Sequence, residues 1–380
     1  MRHLHFTQSL EPLQGGGLGT STVALHAQFL AAGVESRLCS TYGETPQISL
    51  ANIVEFRRIK PDFLYYSPEL KKRVQDLVSY RDILHGHGLY VGTNYLLGRE
   101  ARQQNKPLVY HAHGFFEPWI LNRSRWKKKL AHWLFENANF RHVKLWRALT
   151  AREADQIRAC GITAPIVVAP NGLTLENYSA PPKKDEPIAT PFIPRLAKTA
   201  RRALFLGRIH PKKGLDLLLS SWARLNGSSN GWELVIAGPD ENGYLTEIKT
   251  LAQTLNLLDK IRFTGPVTGQ TKTALLHSAD LFVLSSYSEG FSMSLLEAMA
   301  CRVPVVATQS CNFPDVTASD AGWECECTRE SVCGTLNQAL REDDLARQQR
   351  GQNGYRLVEK HYAWPAIVST ILKACDDYCR

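Results

Sequence analysis

The sequence predicts an α/β protein with two parallel-sheet domains in tandem, on three observations. Short apolar runs alternate with helical patterns, the alternation stops once in a proline-rich stretch, and it then resumes. The chain has 380 residues, 44% hydrophobic and 21% charged, a length for two or three domains at about 150 residues each. This composition excludes a disordered chain, a collagen-like repeat and a small disulfide scaffold.

In the first domain, residues 1–180, a strand near Leu4–Phe6 leads into a glycine loop, Gly15-Gly16-Gly17-Leu18-Gly19, and then a helix around Ser21–Ala32. Further strands are expected near Ser36–Ser40, Asp82–His85, Leu108–His111, Arg147–Thr150 and Ile166–Ala169. Strands separated by helices pair in parallel as βαβ units. Five prolines and the run Lys183-Lys184-Asp185-Glu186 fall in Ser179–Ala200 without apolar periodicity, so 181–200 is a linker. The second domain, 201–361, repeats the pattern. Its strands are Ala203–Leu206, Glu233–Ala237, Ile261–Thr264, Leu281–Ser285 and Val303–Ala307, with helices near Leu215–Leu225, Tyr244–Leu255 and Ser294–Ala300. A last helix, Ile367–Tyr378, lies in 362–380. Open parallel sheets bind ligands beyond the carboxyl ends of their strands, so two such domains facing across a cleft would carry their chemistry in the loops that follow strands.

The formal charge is +9, and residues 1–180 hold most of it. They contain 22 Lys+Arg against 14 Asp+Glu, while the rest of the chain has 23 against 22. Arg123, Arg125, Lys127, Lys128, Lys129, Arg141, Lys144 and Arg147 face one acid, Glu136, in a segment, 119–147, that also holds Trp119, Trp126, Trp133 and Trp146. Three of these Trp recur every seven residues and would share a helical face. A cationic, Trp-rich helix suits an anionic membrane surface; a Trp stripe packed into its own domain is the alternative. No nucleic-acid signature accompanies the charge, so no nucleic-acid partner is expected. No run reaches the ~20 apolar residues of a membrane span, and residues after Phe6 turn polar, which places the protein in the cytoplasm, with peripheral attachment to the inner face of the membrane as an option. The nine cysteines are an odd, dispersed set that reads as reduced thiols. Cys325, Cys327 and Cys333 cluster but lack zinc-site spacing.

After the first strand of the second domain, Arg208 and Lys213 can converge on a diphosphate, Arg with two N–H groups and Lys as a point charge. Solvated loop cations are the alternative. In Glu289-Gly290-Phe291-Ser292-Met293-Ser294-Leu295-Leu296-Glu297, a loop passes into a helix whose first N–H groups suit phosphate or sugar oxygens. Glu297, one turn in, can accept two ribose hydroxyls; surface carboxylates bracketing an ordinary helix start are the alternative. The glycine loop has Thr20 where a dinucleotide fingerprint needs Gly, which disfavours a Rossmann dehydrogenase. His113 lies just beyond a strand, and Glu117, His85 and His87 are secondary candidates on the acceptor side.

The E-x7-E stretch, with Ala279 to Ser286 before it and Ala298 to Ala307 after it, resembles the donor signature of the retaining glycosyltransferases of family four, with the GT-B fold. The resemblance extends to Gly207-Arg208, Lys213-Gly214, Ile261 to Val267, Ala169-Pro170-Asn171-Gly172 and the glycine loop, and so spans most of the chain. It implies two Rossmann-like domains, with the last helix crossing back to the first. It also implies transfer of a hexosyl group from a nucleotide diphosphate sugar to an acceptor hydroxyl with retention. On that resemblance Arg208 and Lys213 hold the diphosphate, Glu297 the ribose, and Gly265 to Val267 the base. Glu289, Gly290, Phe291, Ser292 and Leu295 face the donor; Gly16 and Gly17 close over its phosphates, and His113 reaches its sugar. Members often have Gly where Ser292 stands and Pro, Thr or Val where Ser294 stands, which leaves the sugar open. No Asp-x-Asp occurs, so the expectation is no metal and no cofactor beyond the sugar nucleotide. The acceptor would be a lipid-linked or polysaccharide glycan. A nucleotide-sugar epimerase and a non-catalytic sugar-nucleotide-binding subunit are the competing readings.

Overall fold

A computed structural model describes residues 1–48, 50–117, 125–178, 180, 200–225 and 227–380; nearly all of the expected linker lies outside them. The chain forms two compact units, Met1–Gly172 with Trp364–Arg380, and Leu173–Ala363.

The first unit is a seven-stranded sheet, ordered β3-β2-β1-β4-β5-β6-β7 and parallel throughout. The strands are β1 (Arg2–Ser9), β2 (Glu35–Tyr42), β3 (Ile53–Arg57), β4 (Ile83–His87), β5 (Leu108–His111), β6 (Val143–Ala148) and β7 (Ile166–Val168). Sequence reading misses β3 and sets β6 four residues too late. The helix Trp364–Tyr378 belongs to this unit: Trp364, Ile367, Val368 and Ile371 are buried with Leu25, Phe29, Ile83, Val109 and Leu145. Apolar side chains at three- and four-residue spacing form the face that packs this helix down.

One expectation fails here. Gly15 to Gly19 do not form a loop but lie inside the helix Pro12–Ala31. Pro12 at its start has a φ already suited to the first turn, and Glu11 before it is extended. Only the first few N–H groups of a helix lack an intrahelical acceptor, so Gly16 and Gly17 direct theirs into the helix and do not offer the phosphate-closing loop expected of them. Gly19 serves packing instead: a Cβ there would stand 2.8 Å from the Ser9 carbonyl oxygen, whereas one on Gly17 would meet nothing within 4 Å.

The second unit is a six-stranded parallel sheet, ordered β10-β9-β8-β11-β12-β13. Its strands are β8 (Arg201–Leu206), β9 (Trp232–Ala237), β10 (Ile261–Gly265), β11 (Leu281–Leu284), β12 (Val305–Thr308) and β13 (Gly322–Cys325). Continuous apolar runs such as Leu281–Leu284 are buried on both faces, as expected of parallel strands covered by helices. Because β8 neighbours β11, the loops that follow them are adjacent. Ser285 Oγ donates to the Gly214 carbonyl at 2.7 Å and the Tyr287 N–H to the Lys212 carbonyl at 2.9 Å, tying the two loops together.

Candidate functional site

In the second unit the tied loops bring Lys213 to Glu289. Lys213 ends a short 3-10 turn, Pro211–Lys213, that His210 caps. Its Nζ donates to Glu289 Oε1 at 2.6 Å, and Ser286 Oγ donates to the same oxygen at 2.6 Å. The Glu289 backbone is fixed as well, its N–H on the Ser310 carbonyl at 2.9 Å and its carbonyl accepting from Asn312. Arg208 is exposed and pairs with Glu241 at 2.5 Å. Among the described residues no contact joins Arg208 to Lys213, so each cation of the expected clamp is held by its own carboxylate. An exposed ion pair of the Arg208 kind is worth little in water, so a phosphate can replace Glu241 at small cost.

Glu297 lies in the helix Met293–Ala300 and is nearly buried. Its Oε1 accepts from Lys272 Nζ at 2.7 Å and from Tyr178 Oη at 2.9 Å, while among the described residues no partner reaches Oε2. Lys272 also lies 5.7 Å from the centre of the Tyr178 ring. The neighbouring carboxylate and burial together push the Tyr178 phenol well above its ordinary value. Sequence reading finds Glu297 and misses Lys272 and Tyr178, which stand 25 and 119 residues away along the chain.

Ser292 caps the Met293–Ala300 helix, its Oγ accepting from the Leu295 N–H at 3.4 Å. The Leu295 side chain is fully buried in the core, so any ligand contact from this residue would be through its backbone. Gly290 and Phe291 are half-buried, and Phe291 packs against Phe313 and Tyr362. Gly265 ends β10 at a φ of +73°, and Val267 just beyond it is half-buried. The Gly265 carbonyl accepts from the Gly238 N–H at 2.8 Å.

In the first unit the sheet holds a ladder of histidines. His85 and His87 lie within β4 and are fully buried, so they do not line an acceptor surface as sequence reading suggested. His3 and His5 on β1 and His111 on β5 join them, and His113 follows β5 with a φ of +51°. Glu117 is buried two residues past Phe115. The ring nitrogens of His5, His87 and His111 lie within 4.8 Å of one another. Two of these rings, His87 and His111, are stacked at 4.1 Å, so their in-plane lone pairs do not converge on one point as a metal site requires.

Of the cationic, Trp-rich segment, Trp119 and Arg123 lie outside the described residues. Trp126 and Trp133 are 68% and 78% exposed, whereas Trp146 is completely buried. Of the stripe, Trp126 and Trp133 are therefore not core, although Trp146 is. Glu136, the segment's one acid, is buried, where it accepts from the Tyr90 N–H at 2.7 Å and from Asn139 at 3.1 Å. Burial pushes its carboxyl up to about 7. Trp126, Leu130, Leu134 and Phe135 border an apolar cavity of about 590 Å³ with Tyr66, Tyr90 and Tyr95.

Residues 189–357 match the family model described as glycosyl transferases group 1, and residues 15–177 the model described as glycosyltransferase family 4; between them the two take in most of the chain. The chain belongs to the family-four GT-B glycosyltransferases. Among curated relatives of this glycosyltransferase, the D-inositol 3-phosphate glycosyltransferase of Actinosynnema mirum is 30% identical over 208 residues, 52% of this chain and 46% of that protein. The phosphatidyl-myo-inositol mannosyltransferase of Mycobacterium leprae is 29% identical over 224 residues, 58% and 55% of the two chains. The chain thus spans about half the length of these relatives. Sucrose-phosphate synthase of Thermosynechococcus elongatus superposes with a TM-score of 0.78 at 16% identity, over 99% of each chain. Anabaena HepE, solved in complex with UDP-glucose, gives 0.77 at 18% over 99% and 100%. These likenesses establish the GT-B fold. Among the described residues no helix is long and apolar enough to cross a membrane.

Proposed function

We propose that the protein transfers a hexosyl group from a nucleotide diphosphate sugar to an acceptor hydroxyl with retention at the anomeric carbon. The observation that carries this reading is the constellation at the strand ends of the second unit. There Lys213 and Glu289 share an ion pair beside the capped helix that holds Glu297. Lys213 and Arg208 are the groups for the diphosphate, Glu297 for the ribose through Oε2, and Gly265 and Val267 for the base. Glu289, Gly290, Phe291 and Ser292 face the donor sugar, and the first unit adds His113. The relatives' names and the UDP-glucose bound to HepE support a sugar-nucleotide donor.

The protein's task in this reaction is the charge of the leaving group. The bond from the anomeric carbon to the diphosphate oxygen breaks, and its electron pair stays on that oxygen. Arg208, Lys213 and backbone N–H groups stabilise this charge as fixed donors that need no reorganisation. The acceptor oxygen bonds to the carbon from the same face and passes its proton to the leaving phosphate. Activity without a divalent metal is part of the proposal, because the two cations carry the neutralising role.

A membrane-borne acceptor is favoured by the exposed Trp126 and Trp133 in a segment whose only carboxyl is buried. Indoles and lysines on one surface suit an anionic bilayer interface. The experiment is nucleotide release by the purified protein in EDTA from a panel of UDP-, GDP- and ADP-sugars, with and without anionic vesicles that carry extracted lipid acceptors. Release that requires one sugar nucleotide and the vesicles is the expected result. Nucleotide binding without release from any donor points to a sugar-nucleotide-binding subunit, and an altered sugar still on its nucleotide points to an epimerase.

A further inference from the structure

The buried histidines of the first unit form two hydrogen-bonded chains across the sheet. In one, Arg147 Nη1 donates to His111 Nδ1 at 3.4 Å, His111 Nε2 meets His85 Nδ1 at 3.0 Å, and His85 Nε2 meets His3 Nδ1 at 2.8 Å. A guanidinium can only donate. His111 Nδ1 must therefore accept, and each ring along this chain carries its proton on Nε2. In the other chain His5 Nδ1 meets His87 Nε2 at 3.0 Å, and His87 Nδ1 meets His113 Nε2 at 3.0 Å. The chains are stacked on each other, His5 on His85 at 4.2 Å and His87 on His111 at 4.1 Å.

An imidazole buried without partners is costly, so a polar ring in this core calls for a reason. The second chain ends on His113, which the donor reading places at the sugar, and His113 is only half-buried. Its Nε2 is taken by His87, and among the described residues no partner reaches its Nδ1. The charged groups around it are the Arg147 guanidinium and Glu153, whose carboxylate accepts from the Gly114 and Leu149 N–H groups. No carboxylate pairs with any ring of the ladder among the described residues.

We propose that His87 is a positioning residue: by engaging Nε2 of His113 it holds that ring in one orientation, with Nδ1 as the only nitrogen left for the substrate. His5 backs His87 in the same way from the next strand. The left-handed backbone at His113 leaves the ring at the end of the strand rather than within it, and the His87 contact is its one described polar tether. A ring nitrogen engaged by a packed partner keeps its ring in one orientation, which is how orienting groups act on histidines elsewhere.

The inference rests on the reading of His113 as a donor-sugar contact, and two substitutions at position 87 test it. Asn places an amide atom near the position of Nδ1 and can still meet His113, whereas Phe keeps the ring shape and the stacking but has no polar atom. His87→Phe is expected to lower kcat about tenfold, by analogy with orienting partners of metal-bound imidazoles, at little change in KM for the donor. His87→Asn should recover most of that loss. Retained affinity for free nucleotide and an unchanged far-UV spectrum verify folding. In 15N NMR of the histidine-labelled wild type at pH 7 to 8, His113 Nε2 should show the shift of a hydrogen-bonded ring nitrogen, and in His87→Phe that signature should be lost. If His113→Ala is slow while His87→Phe turns over normally, this inference is overturned and the donor reading stands. If His113→Ala turns over normally, the role of His113 falls, and that of His87 in catalysis with it. A His113 ring whose Nε2 shows no hydrogen bond in the wild type overturns the positioning directly.

Discussion

Lys213 and Glu289 share a 2.6 Å ion pair that is largely shielded from water, and Ser286 supports the same carboxylate oxygen. On the proposed reading a diphosphate would draw the ammonium toward a second anion, so Lys213 would have one partner at rest and two in the reaction. Its charge matters most when the leaving oxygen becomes negative, since only interactions stronger in the transition state raise kcat. Lys213→Ala should therefore reduce kcat on the order of 10²-fold or more, by analogy with the removal of a fixed oxyanion donor. Lys213→Met keeps the aliphatic stem, and an equal loss in that variant isolates the charge from packing. Turnover near normal in steady-state nucleotide release would remove Lys213 from the site.

At the scale of elements, the donor loops depend on a glycine that no other residue can replace. Gly214 has a φ of +64°, and a Cβ there would stand 2.0 Å from the Ser285 carbonyl oxygen. Gly243, at +80°, has nothing within 4 Å of its Cβ position. Gly243→Ala therefore costs backbone strain alone, about 1 kcal/mol. Gly214→Ala adds a collision between the loops after β8 and β11, so its loss in thermal unfolding should be clearly larger, with a fall in activity as Lys213 shifts. Equal losses would mean that the loop contact is unimportant. Lys213-Gly214 was legible in the sequence, as were most strands, because buried parallel strands are uninterrupted apolar runs. The start of β6 was missed because Lys144 interrupts its apolar run, and Arg147 is a cation buried on the strand by carbonyl partners no local pattern announces. Lys272 and Tyr178 were unreadable for the same reason: their contact with Glu297 is made by folding and not by spacing. The histidine ladder did leave a signal. His3-x-His5, His85-x-His87 and His111-x-His113 each put two rings on one face of neighbouring strands, but the strand boundary drawn at His85 hid it.

At the scale of the whole molecule, that ladder makes the two units respond differently to acid. Burial pushes His3 and His26 down to about 4 and His113 to about 3. His5, His85, His87 and His111 are driven well below the ordinary value by burial and by their neighbours. For each of these the unfolded chain, titrating near 6.5, binds a proton that the folded unit refuses. Stability is then complete above pH 6.5 and is lost as pH falls below it, by up to about 1.4 kcal/mol per pH unit for each ring. Glu136, raised to about 7, has the opposite sign: its contribution is present below the unfolded carboxyl value and lost as pH rises toward 7. Glu153, raised by burial as well, has the same sign, and two carboxyls do not offset seven imidazoles. The second unit has His210 and His277 shifted in the same direction, each only partly buried. Acidification below about pH 6.5 should therefore destabilise the first unit before the second. Calorimetry from pH 8 to 4, with pulse proteolysis to identify the fragment cut first, would show fragments from Met1–Gly172 ahead of those from the second unit. Parallel loss of both, or stability held down to pH 4, would mean that these histidines take up protons in the folded state.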